Sequence, residues 1–157
     1  MGISTTMDLF EKDLQDIYFA EKQLVKALDT MKKESKTPDL KDAFSSHKTE
    51  TQKQVKRLEK VFKSAGLKVK AKNCPGIMGL IKEKKEMTTT EKPTDNIKDM
   101  INVTSAKKVE RYEITAYEGL IDLASKNDMD DAVELLQANL EEEIAALEKM
   151  QSLAQGF

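Results

Sequence analysis

Along four long segments of this chain apolar residues recur every three or four positions, and no alternating, strand-like run exceeds four residues. Coiled as helices, such segments each present one apolar stripe, so the fold class expected is all-α. The first segment, roughly 6–36, aligns Leu14, Ile17, Leu24, Leu28 and Met31. The second, 38–65, opens at Thr37-Pro38-Asp39, where a proline's missing N–H does no harm, and closes at Gly66. The third, 95–126, aligns Ala106, Val109, Tyr117, Leu120 and Ala124. Asn127-Asp128 then makes a tight turn into the fourth, 129–154, with Val133, Leu136, Leu140, Leu147 and Met150.

The connection over 67–94 differs. Cys74-Pro75-Gly76 reads as a turn, 76–88 as a short helix, and Thr88 to Thr94 as a polar loop. Short links make antiparallel neighbours, whereas a connection of this length can cross a bundle of helices ~40 Å long. The expected architecture is a single domain, 1–157: a four-helix bundle with one long crossover that carries a short extra helix between helices 2 and 3.

Composition excludes several classes. With 39% apolar residues in 157, a core forms only if the fold gathers them into stripes. No run approaches the ~18 apolar residues of a membrane span, so no membrane association is expected. Met1 to Glu11 lacks a basic segment followed by an apolar one, so no signal peptide is expected. The lone Cys74 rules out a disulfide framework or cysteine zinc cluster and points to a reducing cytoplasm. The net charge is −2, and Arg57 and Arg111 are the two arginines among 26 basic residues, so no nucleic-acid partner is expected. The lysine runs at 32–33 and 82–85 read as solvated helix faces.

Each apolar stripe is interrupted by charge. In the first helix the series 14, 17, 21, 24, 28, 31 contains Glu21, and in the second the series 40, 44, 47, 51, 54, 58, 61 contains His47, with Glu50 three residues on. In the third, Glu113 stands between Val109 and Tyr117, with Glu110 at the edge of the same stripe. In the fourth, Glu143 stands between Leu140 and Leu147, Glu142 is the second choice, and Glu141 faces solvent. A buried, unpaired carboxylate costs several kcal/mol, and several together repel. Protonation, cationic partners such as Lys53 or Arg111, or metal ions must compensate. Cations held by carboxylates are the economical answer, and Glu from two helices with ligands three apart on two others is the pattern of di-iron and di-manganese bundles. His47 reads as a ligand or as support for one. Tyr18, Tyr112 and Tyr117 read as packing residues, the methionines as core filler, and Cys74 receives no role. There is no glycine-rich phosphate loop, nucleophile elbow or His-Glu-x-x-His helix.

Five stretches resemble the YciE/YciF family of bacterial ferritin-like proteins over Asp8 to about Leu153. They are Asp16-Ile-Tyr-Phe-Ala-Glu-Lys-Gln-Leu24, Ala43-Phe-x-x-His47-x-x-Glu50-Thr51, Lys68-x-Lys70-x-x-x-Cys74 followed by Gly79-Leu-Ile81, Ala106-x-Lys-Val-Glu110-x-Tyr-Glu113-Ile, and Leu140-Glu-Glu-Glu143. The resemblance implies a ferritin-like bundle, a dinuclear metal centre, a homodimer and a link to bacterial stress responses. Carried over, the metal ligands are Glu21, Glu50, Glu113 and Glu143, with His47 and Glu110 as further ligands. The chain departs from the wider superfamily's Glu-x-x-His, since Lys53 follows Glu50 and Ala146 follows Glu143, and Met78 stands where family members often carry Glu. The function expected is a metal-binding stress protein with two iron ions, alternatively manganese, reacting with oxygen or peroxide. Oxygen-rich ligands favour those metals over thiolate-preferring ones. The rivals are a metal-free helical scaffold and an oxygenase with an organic substrate.

Overall fold

The computed structural model describes residues 2–157, so Met1, at the head of the stretch read as lacking a signal, lies outside them. Five helices are formed, α1 (Thr6–Glu34), α2 (Pro38–Ser64), α3 (Pro75–Thr89), α4 (Asp95–Lys126) and α5 (Asp130–Ala154), and the described residues contain no strand. None of the helices is long and apolar enough to cross a membrane. Thr5 starts α1 with a reciprocal cap: its hydroxyl accepts the Asp8 N–H and the Asp8 carboxylate accepts the Thr5 N–H. The apolar series predicts α1 running to residue 36, yet it stops at Glu34. Ser35 leaves helical geometry while its N–H and hydroxyl both donate to the Met31 carbonyl. At the end of α2, Gly66 takes a φ of +71°, which lets Leu67 N–H reach back to the Phe62 carbonyl.

Side-chain pairs fix the helix directions. Tyr18 with Glu59 and Lys48 with Asp29 set α1 and α2 antiparallel. Thr6 meets Asn127 at one end of the α1–α4 pair and Asp99 meets Lys36 and Thr37 at the other, so these too run antiparallel. Arg57 with Asn139, and His47 with Glu143, set α2 against α5 in the same sense. Since α2 and α4 therefore both oppose α1, they run in the same direction, and residues 65–94 must travel the bundle's length to join them. On that journey α3 lies over α1 and α4, held by Lys84 to Glu34 and Lys108 to Glu83. Gly76 begins α3 tight against Tyr112, where an added Cβ would come within 2.6 Å of the phenol oxygen. Cys74 is buried there, its Sγ 3.0 Å from the same oxygen.

Phe10, Leu14, Leu24, Phe44, Leu58, Phe62, Tyr117 and Leu120 form the interior between the four long helices. The α1–α2 turn is secured by Asp99, which is buried and accepts from the Lys36 N–H, the Thr37 N–H and the Thr37 hydroxyl at 2.6–2.9 Å. Burial alone would raise its carboxyl, but the Thr37 and Lys36 bonds outweigh it and hold the group below the ordinary range. Asp99→Ala strands those donors and is expected to cost roughly 2 kcal/mol, lowering the Tm by about 4–8 °C at neutral pH. Because the carboxyl is depressed, that contribution is present above the ordinary carboxylate range and lost as pH falls. The variant's deficit in thermal melts should therefore shrink toward pH 2–3.

Candidate metal centre

Helical spacing carries each charged residue into the bundle. Glu21 on α1, Glu113 on α4 and Glu143 on α5 are fully buried, Glu110 is 1% exposed and His47 on α2 is 4% exposed. Their ligand atoms converge in two groups. Glu21, Glu113 and Glu143 form one, His47, Glu110 and Glu143 the other, and within each the atoms lie within 4.8 Å of one another. Glu143 belongs to both. His47 Nε2 approaches Glu110 at 3.2 Å and Glu143 at 3.9 Å, yet neither ring nitrogen makes a hydrogen bond. Both oxygens of Glu113 and of Glu143, and one each of Glu21 and Glu110, are also buried without a hydrogen-bond partner.

Like charges in a dry interior force the titrations. Burial, first of all, pushes Glu21 up to about 8, and burial together with the neighbouring carboxylates drives Glu110 and Glu113 well above the ordinary range. Burial lowers His47. Among the described residues no Lys or Arg pairs with Glu21, Glu110, Glu113 or Glu143. Lys53 and Arg111, the cations placed nearest by sequence, are both exposed. The inward-reaching cation is Arg57, which sequence reading did not single out, and it binds Glu142 rather than the cluster.

Glu50 is not in either group. Thr51, one residue on, takes the inward position, fully buried with its hydroxyl on the His47 carbonyl, and leaves Glu50 half-buried toward α5. There burial and the charges of Glu142 and Glu143 push it up to about 7, against the pull of Arg57.

Three residues not foreseen as parts of the site complete it. Tyr117 does pack in the core, but its hydroxyl also donates to Glu21 at 3.1 Å. Asn139 donates to the Tyr117 oxygen at 3.1 Å and accepts from Arg57 at 2.9 Å. Gln54 supplies its backbone carbonyl to Asn139 while its own amide is buried without a partner. A hydrogen-bonded chain thus runs from Arg57 through Asn139 and Tyr117 to Glu21. The signal was present in helix 2, where Gln54 stands in the apolar stripe, but Asn139 lies off the stripe traced for helix 4. Tyr117→Phe keeps the ring and removes the bond that orients Glu21, so it is expected to weaken metal affinity about 10–100-fold. Titration with Mn2+ measures this, and an unchanged affinity would make Tyr117 a packing residue only.

The donor set suits a pair of hard or borderline divalent cations. Four carboxylates and a neutral imidazole carry −4, which two divalent ions balance, and the orphaned oxygens and nitrogens are the atoms such ions coordinate.

Comparison with known proteins gives the family and the fold. The family described as "Domain of unknown function (DUF892)" matches residues 5–157. Protein YciF of Escherichia coli K12 is 38% identical over 156 residues, spanning 98% of this chain and 93% of that protein. The crystal structure of the E. coli stress protein YciF superposes with a TM-score of 0.92 at 36% identity, covering 97% of this chain and 96% of that one. YcfI of Rhodopseudomonas palustris superposes at 0.91 with 44% identity, covering 95% and 94%. A protein of Xanthomonas campestris, at 0.78 and 18% identity over 97% and 93%, shares the fold. By sequence over nearly its whole length and by the bundle it forms, the chain belongs to the DUF892 family of YciF-like proteins.

Proposed function

We propose that this chain is a metal-binding, ferritin-like stress-response protein holding two iron ions, or two manganese ions, in its bundle core. The observation that carries the reading is the pair of buried, hydrogen-bond-deficient ligand groups sharing Glu143. Glu21 and Glu113 would hold one ion, His47 and Glu110 the other, and Glu143 both. When bound, two such ions supply redox chemistry toward oxygen or peroxide. The protein's own part is to orient and insulate. Tyr117 fixes one Glu21 oxygen, Asn139 fixes Tyr117, and the surrounding leucines and phenylalanines exclude water. A reducing cytoplasm and a homodimer complete the proposal, the latter tested directly by the mass from light scattering.

The test is elemental mass spectrometry on protein purified without chelator and then loaded anaerobically. About two irons or manganese ions per chain are expected in the wild type, as in carboxylate-bridged bundles, and a strong loss on Glu21→Ala. No bound metal after loading would sink the proposal. It would favour the rival, a metal-free helical scaffold, for which a specific observation speaks: burial raises Glu21, Glu110 and Glu113, so that these carboxyls can stand neutral in the core without a cation.

A further inference from the structure

A groove of about 470 Å³ runs between α2 and α5 and opens to solvent beside the candidate centre. Its α2 wall carries Asp39, Asp42, Ser46 and Glu50, which at spacings of three and four share one helix face. Its α5 wall is low because Ala145 and Ala146 stand there, and Lys149 is the one basic side chain in the lining. Three carboxylates against one ammonium give the groove a negative field. Burial deepens along the acidic set: Asp39 and Asp42 are exposed, Glu50 is half-buried, and His47, which also lines the groove, is 4% exposed. His47 brings an unpartnered ligand to this lining, since neither of its nitrogens is hydrogen-bonded although the residue is buried.

We propose that this groove is the uptake route for divalent cations, with Asp39 and Asp42 capturing the hydrated ion and Glu50 passing it to His47. The inference rests on the metal reading above. A hydrated divalent ion sheds water stepwise as oxygen ligands replace it, and carboxylates of increasing burial provide such steps. The placement also gives Glu50 a task that fits its position outside both ligand groups, half-buried in a lining that holds both the exposed acids and the buried imidazole.

Rapid mixing of metal-free protein with Mn2+, read by loss of the aqueous Mn2+ EPR signal, tests the route. Asp39→Asn with Asp42→Asn is expected to slow uptake about tenfold at low ionic strength, with the difference shrinking as salt screens the groove. The final number of ions per chain should be unchanged. Ala145→Phe, which obstructs the groove without altering charge, is expected to slow uptake at every salt concentration. Asp130→Asn with Glu134→Gln, an equal charge change on α5 outside this groove, is expected to leave the rate at the wild-type value. If wild type binds Mn2+ and the groove variants match its rate, the route is wrong while the metal centre stands. If the control pair slows uptake as much as the groove pair, a general charge effect replaces the route. If wild type takes up neither Mn2+ nor, in anaerobic loading, Fe2+, the route falls together with the reading it rests on.

Discussion

Stripped of metal, the protein is expected to melt at steadily lower temperature as the pH is raised from about 5 to about 9, and saturating Mn2+ to remove most of that slope. The sign follows from the buried carboxyls. Glu21 is raised from 4.5 to about 8 by burial, so it contributes full stability only below the ordinary carboxylate value and loses it as pH climbs through about 8. Glu110 and Glu113 are displaced in the same direction. His47 is lowered from 6.5 and works the other way, adding stability above that value and losing it as pH falls. Three raised carboxyls outweigh one depressed imidazole. Several kcal/mol are at stake, and at roughly 2–4 °C per kcal/mol for a chain of this size the Tm should fall by about 10–20 °C across the range. Bound cations replace protons as the compensating charge, so stability should become nearly independent of pH wherever metal saturates. A metal-free melting curve that stays flat from pH 5 to 9 would show that these carboxyls titrate normally and are not confined as described.

The parts of this arrangement that depend on one helix at a time were legible in the sequence. A 3.6-residue repeat places Glu21, Glu113 and Glu143 among apolar residues whatever the neighbours do, and all three are fully buried. The crossover also followed from linker length. What depends on the rotation of one helix against another was not legible. Glu110 looked like an edge residue of the α4 stripe, yet it turns toward His47 and Glu143 and is almost wholly buried. Position 50 looked inward because it lies three residues from His47, but an α-helix brings position 51 closer to the same line, and Thr51 is the residue buried there. The chain from Arg57 through Asn139 and Tyr117 joins three helices, and no spacing within one helix announces it. The end of α1 was missed by two residues because Ser35 competes for the Met31 carbonyl, a local hydrogen bond that apolar periodicity does not register.

Glu143→Gln is expected to separate stability from metal binding more sharply than any other single change. Glutamine keeps the shape of the side chain and removes the charge shared by both ligand groups. In metal-free protein at neutral pH the substitution takes away a buried negative charge beside Glu21, Glu110 and Glu113, whose carboxyls burial and like charge already raise, so the variant should be more stable than wild type by roughly 1–4 kcal/mol, about 2–10 °C or more in Tm. The gain should grow as pH climbs through about 8, where Glu21 ionises beside position 143, and be smaller at pH 5, where Glu21, Glu110 and Glu113 are neutral. Metal reverses the order. Wild type gains about 2.7 kcal/mol at a hundredfold excess over Kd. The variant, left with two carboxylates and no shared one on the Glu21 side and one carboxylate with the imidazole on the other, should gain little and bind neither ion tightly. Melts of both proteins with and without Mn2+, at pH 5 and pH 7.5, check all four corners. A variant less stable than wild type without metal would mean that Glu143 is held by compensating contacts within the fold. In that case the convergence of four carboxylates would be a scaffold's internal packing and no longer an argument for a dinuclear centre.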